Sequence, residues 1–274
     1  MYKVLRYVAG LASVFTLSLQ CCASRAERTR TLHATEQDTR CTKGLPRGFV
    51  YLDAVDPTIL VDLRYAGHHN FVGRPIPGYG AKRAVMTEAA AKALRDAQAL
   101  AREQRLTLKV YDAYRPQRAT DAFVAWSQDL GDEKMKAEFY PNLAKSIIFR
   151  EGYVSARSGH TRGSTVDLTL VPLDVPAEET YFDGQALRAA TLPQGQRWGD
   201  NSIDMGTGFD AFDPLAHTAN PAIGEPARAN RALLKQIMKQ TGFDNYPNEW
   251  WHYTLRAEPF PDTYFDFSIG GLPS

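Results

Sequence analysis

An α+β single domain, with a small and mainly antiparallel sheet flanked by helices, is the fold class that the sequence predicts. Strand-like and helix-like segments alternate irregularly, there is no internal repeat, and no glycine-rich phosphate loop follows a strand, which argues against a doubly wound nucleotide fold. Composition agrees with a folded core: 44% of the 274 residues are hydrophobic and 23% are charged. Lys and Arg number 32 against 31 Asp and Glu, and this balance disfavours a surface that tracks phosphates. No nucleic-acid partner is expected.

At the start, Lys3 and Arg6 precede an uncharged, mostly apolar run from Val8 to Leu19, too short to span a bilayer and suited to the h-region of a secretory signal. Residues 1–23 therefore read as an export signal, which predicts a periplasmic protein. Cys21 and Cys22 offer an alternative, a bacterial lipoprotein signal with a lipid anchor on one of them; no other membrane association is expected. Cleavage after Ala23 leaves Cys41 alone, so no intramolecular disulfide is expected. Residues 24–47, rich in Arg, Thr, Glu and Gln and including His33, read as a solvated linker. The domain proper is assigned to 48–270.

Within it, Gly48 to Ala54 and Ile59 to Tyr65 read as strands broken by Asp56-Pro57. Thr87 can cap a helix to Gln104, where Ala90, Leu94, Ala97 and Ala101 recur at helical spacing. Leu106, Leu108 and Val110 alternate with Thr107, Lys109 and Tyr111, the period of a half-buried strand. A helix starts near Pro116, and a strand follows at Val166 to Val171. Residues 174–204, with Pro176, Pro193 and many polar side chains, read as a long surface insertion. A last helix covers Ala227 to Thr241, ending at Gly242.

Three segments carry chemistry. In Ser158-Gly-His-Thr-Arg-Gly-Ser-Thr-Val-Asp167, Asp167 leaves a strand from an apolar stretch and needs a counter-charge, which a metal supplies. His160 lies an odd number of residues before it, so Gly163 has to turn the chain if both are to hold one ion. In Pro247-Asn-Glu-Trp-Trp-His-Tyr253, a helical turn would put Glu249 and His252 on one side, with two tryptophans as a water-poor wall. Two His, one Asp and an open position suit zinc, with Glu249 free to take a proton from water. In Tyr111-Asp-Ala-Tyr-Arg-Pro-Gln-Arg118, Arg115 is placed to face a developing oxyanion, while Arg118 reads as a surface or structural residue.

These segments, in this order and with Tyr264-Phe-Asp-Phe267 near the end, resemble the D-alanyl-D-alanine dipeptidases of the VanX type, zinc peptidases related to the D-Ala-D-Ala carboxypeptidases and the Hedgehog fold. The resemblance implies one Zn2+ per chain on His160, Asp167 and His252, Glu249 as general base, and Arg115 stabilising the tetrahedral intermediate. It further implies that Tyr65, Ser158 and Asp210 hold a small D,D-dipeptide. Two features depart from the family pattern: glycine at 159, where a second small hydroxyl residue is expected, and the long segment before Met205.

Each residue also has a plainer reading. His160 can be a loop histidine, His252 a core histidine, Glu249 a helix-surface carboxylate, Arg115 a partner of Asp112, and Tyr65 a packed strand aromatic. Asp213 rivals Asp210, His217 is the spare ligand, and the adjacent His68 and His69 read as loop residues. Three functions are therefore carried forward: the dipeptidase, a D,D-carboxypeptidase or muramyl-peptide hydrolase, and a non-catalytic zinc module that binds wall fragments. Glu249 favours catalysis, because a pure binding module has no need of an unligated carboxylate there.

Overall fold

The computed structural model describes Thr42 and residues 44–174 and 179–270. The chain divides into Met1–Lys43 and Gly44–Ser274, and the strands and helices named next all belong to the second unit. The expected export signal, Cys21, Cys22, His33, Cys41, nearly all of the linker before Gly44, and Pro176 lie outside the described residues. Among those described, no helix is long and apolar enough to cross a membrane.

In chain order the elements are β1 (Phe49–Tyr51), the single turn α1 (Leu52–Val55), β2 (Leu60–Val61), β3 (Val85–Thr87), α2 (Glu88–Glu103), β4 (Leu106–Asp112) and α3 (Gln117–Gln128). After these come the short α4 (Lys136–Phe139), β5 (Thr165–Pro172), α5 (Glu225–Gln240), β6 (Phe243–Asn245) and β7 (His252–Leu255). β1 and β3 form an antiparallel pair, and a five-stranded sheet runs β2-β4-β5-β7-β6 with only the β2–β4 pairing parallel. The α+β class with a mainly antiparallel sheet is therefore present.

α2 forms as its sequence dictates. The Thr87 hydroxyl accepts from the Ala90 N–H, a cap worth about 1 kcal/mol, and Ala90, Leu94, Ala97 and Ala101 are buried along one face. α5 carries Pro226 in its first turn and stops at Gly242, whose φ of +97° suits a residue without Cβ. The terminal aromatic motif packs against the core: Phe49 meets the rings of Tyr114, Phe260, Phe265 and Phe267 at 4.9 to 5.8 Å.

Three expectations change. The strand expected to reach Ala54 ends at Tyr51, because the Leu52 N–H bonds Ala84 O while the Asp56 N–H closes a helical turn on Leu52 O. The strand expected at Ile59 to Tyr65 pairs only at Leu60 and Val61, and Tyr65 lies in a 3-10 turn closed by the Ala66 N–H on Leu63 O. β4 is buried from Thr107 onward rather than half-buried. Two polar side chains of β4 face the 174–204 segment: Lys109 donates to the Asp200 carbonyl and Tyr111 to the Asp200 carboxylate. That segment has no regular structure between 179 and 204, yet it is pinned by the Ile203 N–H on Leu170 O and by Tyr181, stacked on His69 at 4.4 Å.

Register is what builds the site. Asp112 of β4 lies opposite Asp167 of β5, which in turn lies opposite His252 of β7, so neighbouring strands present three polar residues in one row. A break in regular pairing between Val110 and Asp112 brings Asp112 into this row.

Candidate active site

His160 reaches the row from a 3-10 turn, Gly159–Arg162, that precedes β5. The Ser158 hydroxyl caps the turn by accepting from the His160 N–H at 3.2 Å. Gly163 ends it at φ +81°, and a Cβ there would lie 2.3 Å from the Phe49 ring, so glycine turns the chain back toward Asp167. The imidazole is aimed by its own proton: Nδ1–H donates to Ala113 O at 2.8 Å, leaving the Nε2 lone pair facing the site.

Three donor atoms then converge. His160 Nε2 and His252 Nδ1 each lie 3.2 Å from Asp167 Oδ1, and the two nitrogens are 3.3 Å apart. Bonds of about 2.0 to 2.1 Å to a tetrahedral zinc place neighbouring ligand atoms about 3.3 Å apart, so the triangle has the dimensions of three zinc ligands. Asp167 Oδ1 is buried and accepts no hydrogen bond, as a ligand oxygen reserved for a cation would. Charge agrees with geometry. Burial disfavours a charge on His252, yet the carboxylates of Asp167 and Glu249 outweigh it and raise its pKa to about 10. Burial also opposes the charge of Asp167, and the two imidazoles overcome it, holding the carboxyl below its usual range. The trio is the candidate metal site among the described residues, and its nitrogen and oxygen donors suit zinc.

Glu249 stands beside the triangle, its Oε2 3.1 Å from His252 Nδ1. The helical turn expected for these two residues is instead a tight turn leading into β7, closed by the His252 N–H on Glu249 O at 3.3 Å. Spacing of three still puts both on one side. Arg115 approaches from the end of β4. Its Nε donates to Asp112 Oδ2 at 2.9 Å, its Nη2 lies 3.7 Å from Asp167 Oδ2, and its guanidinium faces the rings of Tyr65 and Phe123 at 5.1 Å. The pair with Asp112 and a place in the site coexist.

A cavity of about 290 Å³ joins these groups, lined by Tyr65, Arg115, Ser158, His160, Asp167, Asp210, Glu249 and His252 among others. Its size sits at the small end of ligand sites and suits a small substrate. Tyr65 donates to Asp210 Oδ2 at 2.8 Å, both side chains are buried, and Asp210 holds φ +58°. Burial raises the carboxyl of Asp210 far above its ordinary range, and the negative charge of Asp167 adds to this. Of the two tryptophans only Trp251 lines the cavity; the Trp250 indole donates to Thr207 at 2.9 Å.

The rival residues take other tasks. Asp213 caps a turn by accepting from the Leu215 N–H, and Arg118 pairs with Asp266 at 2.9 Å on the surface. His217 lines a neighbouring cavity of about 400 Å³ that shares Gly152, Tyr153, Phe212, Tyr246, Glu249 and Trp251 with the first. His69 does more than occupy a loop: its Nε2 is 2.6 Å from Glu138 Oε1. Sequence reasoning missed Tyr79, whose hydroxyl donates to Asp112 Oδ1 at 2.6 Å from 33 positions away, and treated Asp112 only as a partner of Arg115. Asp112 also lies 3.5 Å from His160 Nδ1, so one buried carboxylate backs both the arginine and a histidine of the candidate metal site.

Comparison with known proteins agrees with this arrangement. The family model for peptidase M15, D-Ala-D-Ala dipeptidase, matches residues 46–178 and 177–269. A D-alanyl-D-alanine dipeptidase of Streptomyces coelicolor is 42% identical over 81% of this chain and 98% of its own length. Enzymes of the same name from Enterococcus faecalis and Enterococcus faecium are each 36% identical, over 82% and 81% of this chain and 100% and 98% of theirs. A match that spans the whole described fold and includes every residue of the site shows that the chain belongs to the peptidase M15 family of D-Ala-D-Ala dipeptidases.

Proposed function

We propose that this protein is an exported zinc dipeptidase, with one zinc per chain, that hydrolyses D-Ala-D-Ala or a closely related D,D-dipeptide. One observation carries the reading: the 3.2 to 3.3 Å triangle of His160, Asp167 and His252 opens onto a small cavity with the Glu249 carboxylate at its edge. His160, Asp167 and His252 would hold the zinc, which when bound would supply a Lewis acid for the scissile carbonyl and make nearby water more acidic. Glu249 takes the water's proton and delivers it to the leaving amine. Arg115, fixed by Asp112, offsets the charge that develops on the carbonyl oxygen. The Asp210–Tyr65 pair is assigned to the substrate's ammonium group, and Ser158 to orienting the substrate beside His160.

Export rests on the composition of residues 1–23, with lipidation at Cys21 or Cys22 as its variant form. An exported enzyme of this kind serves scavenging or recycling of D-Ala released from the wall more naturally than removal of a cytoplasmic precursor. Cell fractionation, with the mass of the mature N-terminus, tests the location.

The activity is tested with purified zinc-loaded protein against L,L-, L,D- and D,D-dipeptides, a stem pentapeptide and intact sacculi. Release of D-Ala from the free D,D-dipeptide, with little cleavage of the longer substrates, is the expected result; the reverse preference would make it a carboxypeptidase. Glu249→Ala is expected to keep its zinc and lose about 10²- to 10⁴-fold in kcat. Full activity in that variant would remove Glu249 from its role.

A further inference from the structure

Resting on the dipeptidase reading, we propose that Arg157 binds the C-terminal carboxylate of the substrate and thereby selects free dipeptides over amidated or extended ones. A free dipeptide is a zwitterion with its charged ends about 7 Å apart when extended. Its carboxylate has to leave water for a cavity that also holds the Glu249 carboxylate, and needs a cationic partner there. Two arginines line that cavity, Arg115 and Arg157.

Arg115 is committed. Its Nε and Nη2 are both 2.9 Å from Asp112 Oδ2, and its guanidinium is enclosed by Tyr65 and Phe123. Arg157 is exposed and makes no ion pair with any described residue, while its guanidinium lies 5.3 Å from the Tyr264 ring centre. Its main chain is fixed at both polar atoms: the Arg157 N–H donates to the Ser155 hydroxyl, which donates to Arg157 O at 2.9 Å. A planar fork on an anchored backbone, with one face against an aromatic ring, matches what a carboxylate requires.

The two ends of the substrate then fall to different segments of the lining. Arg157 immediately precedes Ser158 and the turn that carries His160, whereas Asp210 and Tyr65 come from two other segments of the lining. The ammonium end is assigned to the Asp210–Tyr65 pair, the carboxylate end to Arg157, and the scissile bond to the metal triangle.

The test compares D-Ala-D-Ala with its C-terminal amide, using zinc-loaded wild type, Arg157→Ala and Arg157→Lys. Wild type should favour the acid over the amide, and Arg157→Ala should raise KM for the acid about tenfold while kcat and amide cleavage stay within about twofold. Arg157→Lys should recover part of the loss. Equal treatment of acid and amide by the wild type, an unchanged KM for the acid in Arg157→Ala, or equal losses on both substrates would overturn the assignment. A wild type that cleaves no D-Ala-D-Ala would instead overturn the dipeptidase reading beneath it.

Discussion

Asp112 holds Arg115 from below the site: the Arg115 Nε donates to Asp112 Oδ2 at 2.9 Å, Nη2 lies at the same distance, and the Asp112 side chain has no solvent exposure. Burial raises the Asp112 carboxyl, while Arg115 and His160 oppose the rise. Removing Arg115 therefore does two things. Arg115→Ala is expected to lower kcat/KM by about 10²- to 10³-fold through loss of the oxyanion partner, with zinc content unchanged. It should also cost about 3 kcal/mol of stability by leaving a buried carboxylate unpaired, a cost that adding Asp112→Asn relieves. Asp112→Asn alone should weaken zinc binding about tenfold through His160. Urea unfolding of the four proteins, with zinc analysis and kinetics, separates these contributions; an unchanged stability of Arg115→Ala would refute the buried-pair argument.

The glycine at 159 has a neighbour that explains it. A Cβ at that position would lie 2.6 Å from the Thr165 Oγ1, so the space that a hydroxyl residue at 159 would need is taken by a hydroxyl reaching over from β5. Gly159 does not adopt a positive φ, and backbone strain is not the obstacle. Gly159→Ser is accordingly expected to destabilise by about 1 to 3 kcal/mol, and Gly159→Ser with Thr165→Ala to recover both stability and turnover. Thermal denaturation and D-Ala release decide it. A single Gly159→Ser variant as stable as the wild type would show that Thr165 does not set the residue at 159.

How far the sequence speaks depends on whether a feature is local. α2 was legible because Thr87, the spacing of its alanines and Leu94 all lie within one segment. His160, Gly163 and Asp167 were legible as one loop-and-strand unit for the same reason. β3, β6 and β7 were not, since each is three or four residues long and is defined by its partner strand rather than by its own periodicity. Tyr65 looked like a strand residue until the 3-10 turn placed its hydroxyl against Asp210, 145 positions away. The 174–204 segment reads as solvated from its composition, but Asp200 finds Lys109, Tyr111 and Arg64 only once β4 and β2 are assembled. Contacts of that range leave no pattern in a single sequence.

Arg64 sits between two carboxylates, Asp62 at 2.5 Å and Asp200 at 3.8 Å. Burial would raise both carboxyls, but Arg64 and Lys109 overcome it and hold each below its ordinary value of 3.8. A depressed carboxyl binds protons more weakly folded than unfolded, so its contribution is complete above the unfolded pKa and is lost as pH falls through the folded one. Wild type should therefore keep this stability down to about pH 4 and lose it progressively below. Arg64→Ala should cost about 2 to 3 kcal/mol at pH 7, and the difference from wild type should shrink as the abandoned carboxylates protonate on acidification. Denaturant midpoints at pH 7, 5 and 4 provide the check. A gap that is constant across the series would mean that packing, not charge, is what Arg64 contributes.

Metal removal should be felt in stability as well as turnover. The three candidate donors come from a turn, a mid-strand position and the start of another strand, so an ion held by them would tie the His160 turn to β5 and β7. Without it, the charge that Asp167 and Glu249 favour on His252 is what holds these atoms, 3.2 to 3.3 Å apart, together. Zinc at a thousandfold excess over its dissociation constant stabilises by about 4 kcal/mol, which for a chain of this size corresponds to a rise in Tm of about 10 °C. Chelation should abolish hydrolysis and lower Tm by that amount, zinc should restore both, and His160→Ala should show little response to either treatment. An equal zinc-dependent shift in His160→Ala would place the stabilising ion somewhere other than this triangle.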